Sequence, residues 1–238
     1  MRNIRLIAKR ELLSFFKSPT AYITLIVFTL INTWFFIMPL FSTGNASLNG
    51  LFFSIKLVWL VYIPVISMGL IAKERNTGTL ETLLTLPIKI GEIVIGKYLF
   101  ALIVILISLS LTIPNFLTIA FLGQNVDYGL IFCAYLGLFM IGAVYASIGI
   151  LCSTLSSNQI AAFILSFVIS LMFFSLEYAL IYIPNLLLPV FQYLSITWQY
   201  SNLSKGVIDT RVLVYFISLV FVFLFISIEY LNYYDKYH

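Results

Sequence analysis

The side chains that could perform chemistry are few in this chain of 238 residues. The single histidine is the last residue, His238, which excludes histidine-based metal sites and catalytic triads. A partial nucleotide-binding pattern, Gly91-Glu-Ile-Val-Ile-Gly96-Lys97, is followed by Tyr98, where a Ser or Thr hydroxyl is needed to bind magnesium. We therefore predict no catalytic site, metal site or cofactor site on this chain.

One polar stretch, residues 74–87, carries the clearest pattern: Glu74-Arg75-Asn76-Thr77-Gly78-Thr79-Leu80-Glu81-Thr82-Leu83-Leu84-Thr85-Leu86-Pro87. Gly78 and Thr79 favour the start of a helix, and Glu81 in its first turn interacts well with the helix dipole. Pro87 then ends the helix, because it disfavours helical geometry in the residue before it.

The resulting two-turn helix has an apolar face made of Leu80, Leu83 and Leu84, which Leu86 would extend. In a bare loop nothing covers such a face, so we expect it to fit the groove of a partner protein. The alternative is that the face packs against the underside of the chain's own helices.

The composition places these elements in a membrane. The chain is 62% hydrophobic and 9% charged, against roughly 45–50% and roughly 25% in globular proteins. Only helices and closed barrels satisfy their backbone in lipid, and the apolar runs are too long for barrel strands. The sequence predicts an all-α polytopic membrane protein with six spans: 20–41, 52–72, 98–121, 129–153, 159–183 and 212–230.

The basic residues predict the orientation. Ten of the thirteen Lys and Arg residues precede the first span, lie in the loop 73–97 or follow the last span. This places both termini and that loop in the cytoplasm. The basic residues of the cytoplasmic side also account for the net charge of +4, so we do not expect nucleic acid as a partner. The predicted domains are a helix at 1–19, a membrane domain at 20–231 with an outer interfacial or re-entrant helical pair at 184–211, and a tail at 232–238.

The stretch 74–87 resembles the E-[KR]-x-x-G-T-L-E-x-L-L-x-x-P pattern of ABC-2-type transporter permeases and matches it at every fixed position. The amino end, 9–19, is similar to the helix that precedes the first span in that family. Two further stretches, 153–160 and 204–211, are similar to the gliding-motility-associated branch of these permeases.

The resemblance implies the membrane subunit of an ABC transporter with the six-helix arrangement of type V exporters, in a bacterial inner membrane. A separate ABC ATPase would hold ATP and magnesium. The expected partners are that ATPase, a second permease subunit of the same or a different kind and, in the gliding branch, a membrane-anchored protein with a large extracytoplasmic domain. The residues implied in ATPase coupling are Glu74, Arg75, Gly78, Thr79, Leu80, Glu81, Leu83, Leu84 and Pro87.

Three other patterns predict roles. On the amino-terminal helix, Arg5, Lys9 and Arg10 share a basic side that favours anionic lipid, while Glu11 faces the apolar side and would contact the ATPase or the coupling loop instead. Small residues in the fourth span favour close helix packing rather than a pathway; they are Gly142, Ala146, Gly149 and Ser153.

In the fifth span, Ser166, Ser170 and Glu177 lie within about 40° on a helical wheel. In the resembled family this span borders the central path between the two permeases, so the resemblance implies that the polar stripe faces the axis between them. The alternative is that Glu177 only hydrogen-bonds a residue of the outer segment 184–211, for example Lys205 or Arg211.

Two other functions fit the same composition. An ATP-independent carrier or channel would need no uncovered apolar helix and no ATPase. An ABC assembly could also pass ATP-driven motion to an extracytoplasmic partner without moving a solute. The substrate is not encoded in any pattern that we find.

Overall fold

The computed structural model describes residues 2–43, 48–84, 88–122, 127–182, 184, 187–206 and 209–237 and has no β-strand among them. The predicted all-α class is confirmed. The helices are α1 Arg2–Lys17, α2 Pro19–Thr43, α3 Asn49–Ser67, α4 Ala72–Asn76, α5 Thr79–Leu84, α6 Ile90–Ser110, α7 Ile113–Leu122, α8 Tyr128–Leu155, α9 Gln159–Ala179, α10 Leu188–Leu194, α11 Ile196–Leu203 and α12 Thr210–Tyr237, with a short 3₁₀ turn at Leu180–Tyr182.

Six helical segments of the described residues are long and apolar enough to cross a membrane, as predicted. Those that contain α3, α6 and α8 form the centre, because 61–72% of their most apolar residues are buried. In α2, α9 and α12 the buried share is only 17–22%, so these helices form the outside of the bundle.

The small residues of α8 explain its central position. A Cβ atom on Gly149 would lie 1.9 Å from Ser67 Oγ of α3. One on Gly142 would lie 3.0 Å from a methyl group of Ile105 of α6. These glycines therefore allow α8 to pack closely against two neighbouring spans, which is the packing role that the sequence predicts.

The predicted start of the third span is wrong. The sequence places it at Tyr98, but α6 begins at Ile90; Lys97 can lie inside this helix because its charge is paired with carboxylates. At the other end of the chain, α12 continues through the predicted tail as far as Tyr237, with Lys236 in its last turn, where a cation stabilises the helix dipole.

The second span is interrupted. Four residues, 68–71, separate α3 from the short helix α4, and we call this segment the helix break. A turn that ends in Gly78 then joins α4 to α5. The break and the two short helices lie at the end of the bundle where α1 packs on α6, which we call the basic end.

The opposite, outer end contains two short helices. The Ser195 hydroxyl caps α11 by accepting a hydrogen bond from Trp198 N at 3.2 Å, and the Tyr215 hydroxyl donates to Leu194 O at 2.6 Å. Helix α11 packs against α8, α9 and α12. Its buried residues include Ile196, Tyr200 and Leu203.

Candidate functional site

Four charged side chains meet at the basic end, and we call them the charge cluster: Arg10 and Glu11 of α1, Glu74 of α4 and Lys97 of α6. Arg10 Nη2 lies 3.0 Å from Glu11 Oε1 and 2.9 Å from Glu74 Oε1. Lys97 Nζ lies 2.9 Å from Glu74 Oε1 and 3.4 Å from Glu11 Oε1. Two cations and two carboxylates thus neutralise one another and join three helices.

Lys97 is the buried centre of the charge cluster, with 1% of its side chain exposed. Its ammonium also donates to the carbonyl oxygen of Leu70 in the helix break. A buried ammonium is stable only when it is paired and hydrogen-bonded, and here two carboxylates and one carbonyl oxygen surround it. Arg10 is 58% exposed by contrast. Burial alone would lower the pKa of its guanidinium, but its hydrogen bonds and charge attraction to Glu11 and Glu74 raise that pKa above its ordinary value.

A glycine brings α1 close enough to form the charge cluster. A Cβ atom on Gly96 would lie 2.9 Å from Ile7 Cβ and 3.1 Å from Ile4 O. The amide of Asn3 adds a hydrogen bond to Glu92 Oε2 at 3.0 Å. Helix α1 therefore packs on α6 along its length instead of lying apart from the bundle.

The helix break is held by Ser153 of α8. Its hydroxyl oxygen accepts hydrogen bonds from Ile71 N at 3.0 Å and Ala72 N at 2.9 Å. The same hydroxyl donates to Met68 O at 2.9 Å. Because these backbone groups are buried, losing their partner would carry the cost of an unsatisfied polar group. One side chain thus replaces the missing hydrogen bonds of the helix.

Beyond the break, Arg75 ties α4 to two other helices. Its Nη1 donates to Thr154 O of α8 at 3.3 Å, and its guanidinium lies 4.4 Å from the ring centroid of Tyr234 in α12. Gly78 has φ +71°, a left-handed conformation that favours glycine and turns the chain into α5. The hydroxyl of Thr79 donates to Glu74 O at 3.3 Å across this turn.

Helix α5 begins at Thr79, and Glu81 in its first turn is exposed. The expectation that Leu80 is uncovered is wrong. Only 2% of it is exposed, because the turn at Gly78 folds α5 back and Leu80 joins the core of the bundle. The side chains of Leu83 and Leu84, together with Leu86 and Pro87, lie outside the described part of the chain.

A cavity of about 430 Å³ opens between α1 and the short helices. Charged, hydroxyl and backbone groups line it, and the charge cluster contributes Arg10, Glu11 and Glu74. No group of metal-ligating side chains is found among the described residues. The cluster, the break and the cavity together form a polar junction between α1, the short helices and α6.

The structure is thus a membrane bundle with a short helix held at one end by this junction. This architecture agrees with the result of a comparison to known protein families. Residues 38–228 match the ABC-2 family transporter protein family. The chain belongs to this family. A comparison with curated proteins gives no match. Membership, together with six helical segments that could cross a membrane, makes it a multi-pass membrane protein of the ABC-transporter permease type.

Two of the three residues of the predicted polar stripe of this ABC-2 protein lie inside the chain's own bundle. Ser166 and Ser170 are fully buried within the single chain, and a Cβ atom on Gly149 of α8 would lie 3.4 Å from Ser166 Oγ. The expectation that they face the axis between permeases is wrong, because the face of α9 that bears them packs against α8 and α3.

Glu177 is half-buried at the outer end of α9. It makes no hydrogen bond or ion pair with Lys205 or Arg211 among the described residues. Lys205 contacts Asn202 instead, and the backbone N–H of Arg211 donates to Asp209. The cation within electrostatic range of Glu177 is Lys56 of α3.

On α1 of this ABC-2 protein, Arg5 and Lys9 are exposed and line a shallow depression with Arg2 and Leu6. Arg10 pairs with Glu74 of α4 instead, and Glu11 pairs with Arg10 and with Lys97 of α6. The lipid role of Arg5 and Lys9 stays a prediction. The alternative for Glu11 was a contact to the coupling loop, and Lys97 is the last residue of the predicted loop 73–97.

Sequence reasoning did not find Lys97 or Ser153 as site residues. One signal for Lys97 was available: a lysine eight positions into an apolar helix needs a buried partner, and Glu11 on the apolar side of α1 needs one too. Ser153 was noticed only as a small residue, since nothing in its spacing indicates that a break in another helix lies opposite.

Proposed function

We propose that this chain is the permease subunit of an ATP-driven ABC-2-type transporter. It couples ATP hydrolysis by a separate ATPase subunit to export or to motion of an extracytoplasmic partner. The observation that carries the proposal is the junction at the basic end. There a short helix, α5, is joined through α4 and the charge cluster to α1 and α6, so that a push on α5 reaches the bundle.

The location follows from the same end of the molecule. We propose that the basic end faces the cytoplasm of a bacterium and that the bundle lies in the inner membrane with both termini inside, since basic residues concentrate at cytoplasmic ends. ATP and magnesium would be held by the ATPase. A second permease subunit completes the path, and the stretches 153–160 and 204–211 support a gliding-associated assembly with a membrane-anchored extracytoplasmic protein.

The mechanism is conformational. ATP closes the ATPase dimer, and the ATPase moves α5, which it contacts through the exposed Glu81 and the sequence-predicted leucines Leu83 and Leu84. The charge cluster passes this movement to α1 and α6, because Glu74 is paired with a side chain from each. The ATP-bound ATPase can shift the equilibrium between two conformations of the bundle only if it binds α5 more tightly in one conformation than in the other.

The experiment is purification of the tagged chain from the membranes of its own organism. We expect an ABC ATPase subunit at equal stoichiometry and ATP hydrolysis in the purified complex. Replacing Leu83 and Leu84 with Asp should release the ATPase while the chain stays in the membrane, since burial of two leucines contributes about 2–5 kcal/mol. Glu81→Ala should keep binding and lower ATP hydrolysis. A chain that transports as a stable monomer without any ATPase would contradict the proposal.

A further inference from the structure

The helix break divides the second span into two parts that are held in different ways. On one side, α3 packs against α2, α8 and α9. On the other side, the start of α4 is held by polar side chains of other helices. Leu70 O accepts a hydrogen bond from Lys97, and Ile71 N and Ala72 N donate to Ser153 Oγ; neither Lys97 nor Ser153 belongs to the second span.

The anchors of α4 concentrate on the end of α8. Ser153 Oγ binds two amides at the start of α4, and Thr154 O accepts the hydrogen bond from Arg75 one turn later. Helix α8 is also the most buried span of the described chain, so it is the least free to bend under a load.

We infer that the helix break is the hinge of the coupling movement and that Ser153 is the positioning residue that couples α4 and α5 to α8. This inference rests on the proposed function. Because the Ser153 hydroxyl donates to Met68 O at the end of α3 and accepts from Ile71 N and Ala72 N at the start of α4, it sets the angle between the two parts. Force from the ATPase then enters the bundle through the fourth span as well as through the charge cluster.

The test uses Ser153→Ala and Ser153→Cys, which remove or weaken the hydrogen bonds, and Ser153→Thr, which restores the hydroxyl. The matched control is Ser147→Ala. Ser147 is equally buried on the same helix, but its hydroxyl donates only to Val144 O of its own helix. Cysteine keeps nearly the volume of serine, so it separates the hydrogen bonds from the packing.

The first measurement is amide hydrogen exchange of the purified complex in nanodiscs. We expect Ser153→Ala and Ser153→Cys to speed exchange at Ile71 and Ala72 on the order of tenfold, since each amide loses its hydrogen bond. Ser153→Thr and Ser147→Ala should leave exchange at these amides unchanged. Unchanged exchange in Ser153→Cys would overturn the assignment of Ser153 to the break.

The second measurement compares the amount of ATPase that co-purifies with its rate of ATP hydrolysis. We expect the alanine and cysteine variants at Ser153 to retain the ATPase, but their rate of permease-dependent ATP hydrolysis should fall roughly 3- to 10-fold. Ser153→Thr should keep the unsubstituted rate. Faster exchange without any loss of coupling would overturn the positioning role. If the unsubstituted chain binds no ATPase, the proposed function fails and the coupling role fails with it, whereas a failure confined to the Ser153 variants overturns only this inference.

Discussion

At each end of the bundle a glycine and a lysine hold an accessory helix, but the two lysines have different partners. At the basic end, Gly96 lets α1 approach α6 and the neighbouring Lys97 is buried. At the outer end, Gly137 lets α11 approach α8, where a Cβ atom would lie 2.8 Å from Tyr200 Cδ2, and Lys56 lies with Nζ 4.7 Å from the Tyr200 ring centroid. Each accessory helix is thus fixed by a glycine and a lysine.

The partners of the two lysines differ. Lys97 has two carboxylates within 3.4 Å and a carbonyl oxygen, so it depends on two ionic contacts, from α1 and α4, and one hydrogen bond to the helix break. Lys56 is half-buried, lies over an aromatic ring and has Glu177 only within electrostatic range. The stability of the basic end therefore depends on every contact of Lys97, whereas the outer end should tolerate the loss of a single contact of Lys56.

The largest effect is expected for Lys97→Met. The substitution removes the buried cation and leaves Glu11 and Glu74 with only the exposed guanidinium of Arg10. Breaking a buried ion pair from one side costs about 3–5 kcal/mol. We expect a clear fall in the thermal unfolding midpoint in detergent, together with loss of the amide protection of α1.

The control is Lys56→Met at the outer end, measured in the same way. If both substitutions lower the midpoint equally, the ends do not differ in the way that the charges indicate. The triple replacement Lys97→Met with Glu11→Gln and Glu74→Gln should recover part of the loss, because no buried charge is then left unpaired.

The two glycines give the next largest effect. Gly96→Ala places a methyl group against Ile7 Cβ and Ile4 O, which belong to the body of α1 and cannot rotate away. Overpacking of this kind costs about 1–3 kcal/mol. Gly137→Ala meets the ring of Tyr200, which can shift, so its cost should be smaller. The check is the midpoint of thermal unfolding for each variant, and a larger effect at Gly137 would reverse the comparison.

The sequence predicted the fold better than it predicted the site. Six apolar runs and the absence of barrel-length strands were enough for the membrane bundle, because lipid forces the backbone to satisfy itself within each helix. The break inside the second span was not predictable, since hydropathy does not change at 68–71. Its cause is tertiary: Ser153, eighty-two positions from Ile71, supplies the hydrogen bonds.

Helical periodicity also failed to predict which neighbour the polar stripe of α9 faces. The wheel placed Ser166 and Ser170 on a common stripe with Glu177, and the pattern said nothing about whether that stripe faces a partner or the chain's own core. The structure buries both serines within the chain, with Ser166 beside Gly149 of α8. The same holds for Leu80 at the basic end. Its sequence pattern predicted an exposed side chain, but the turn at Gly78 directs α5 so that Leu80 is buried.

A smaller effect is expected for Lys56→Met. A cation over an aromatic ring contributes about 0.5–2 kcal/mol, and here the attraction to Glu177 is added. We expect a modest destabilisation of α11, measured as faster amide exchange at Leu203 in the α11 core. Lys56→Arg should preserve the contact, because a guanidinium also stacks on Tyr200. Glu177→Gln should have less effect than Lys56→Met, and the reverse order would make the carboxylate the main anchor of the outer end.

The smallest effect on the protein itself is expected at the exposed face of α1. Arg2, Arg5 and Lys9 surround a depression on the side of α1 opposite its packing on α6, beside Leu6, which is 57% exposed. If this face lies on anionic lipid, each basic residue contributes about 1 kcal/mol near the membrane surface. Replacing the three with Gln should leave thermal stability unchanged in phosphatidylcholine nanodiscs.

In phosphatidylglycerol nanodiscs the same triple variant should lose the extra stability that the unsubstituted chain gains there. The matched control is Lys205→Gln with Arg211→Gln, which removes exposed positive charge from the outer end. Because salt screens such contacts, the gain from phosphatidylglycerol should also shrink between 0.05 and about 0.5 M salt, as the Debye length falls from roughly 14 to 4 Å. An equal loss in the outer-end variant would mean that the lipid responds to net charge alone, whereas a loss confined to α1 assigns the lipid contact to the basic end.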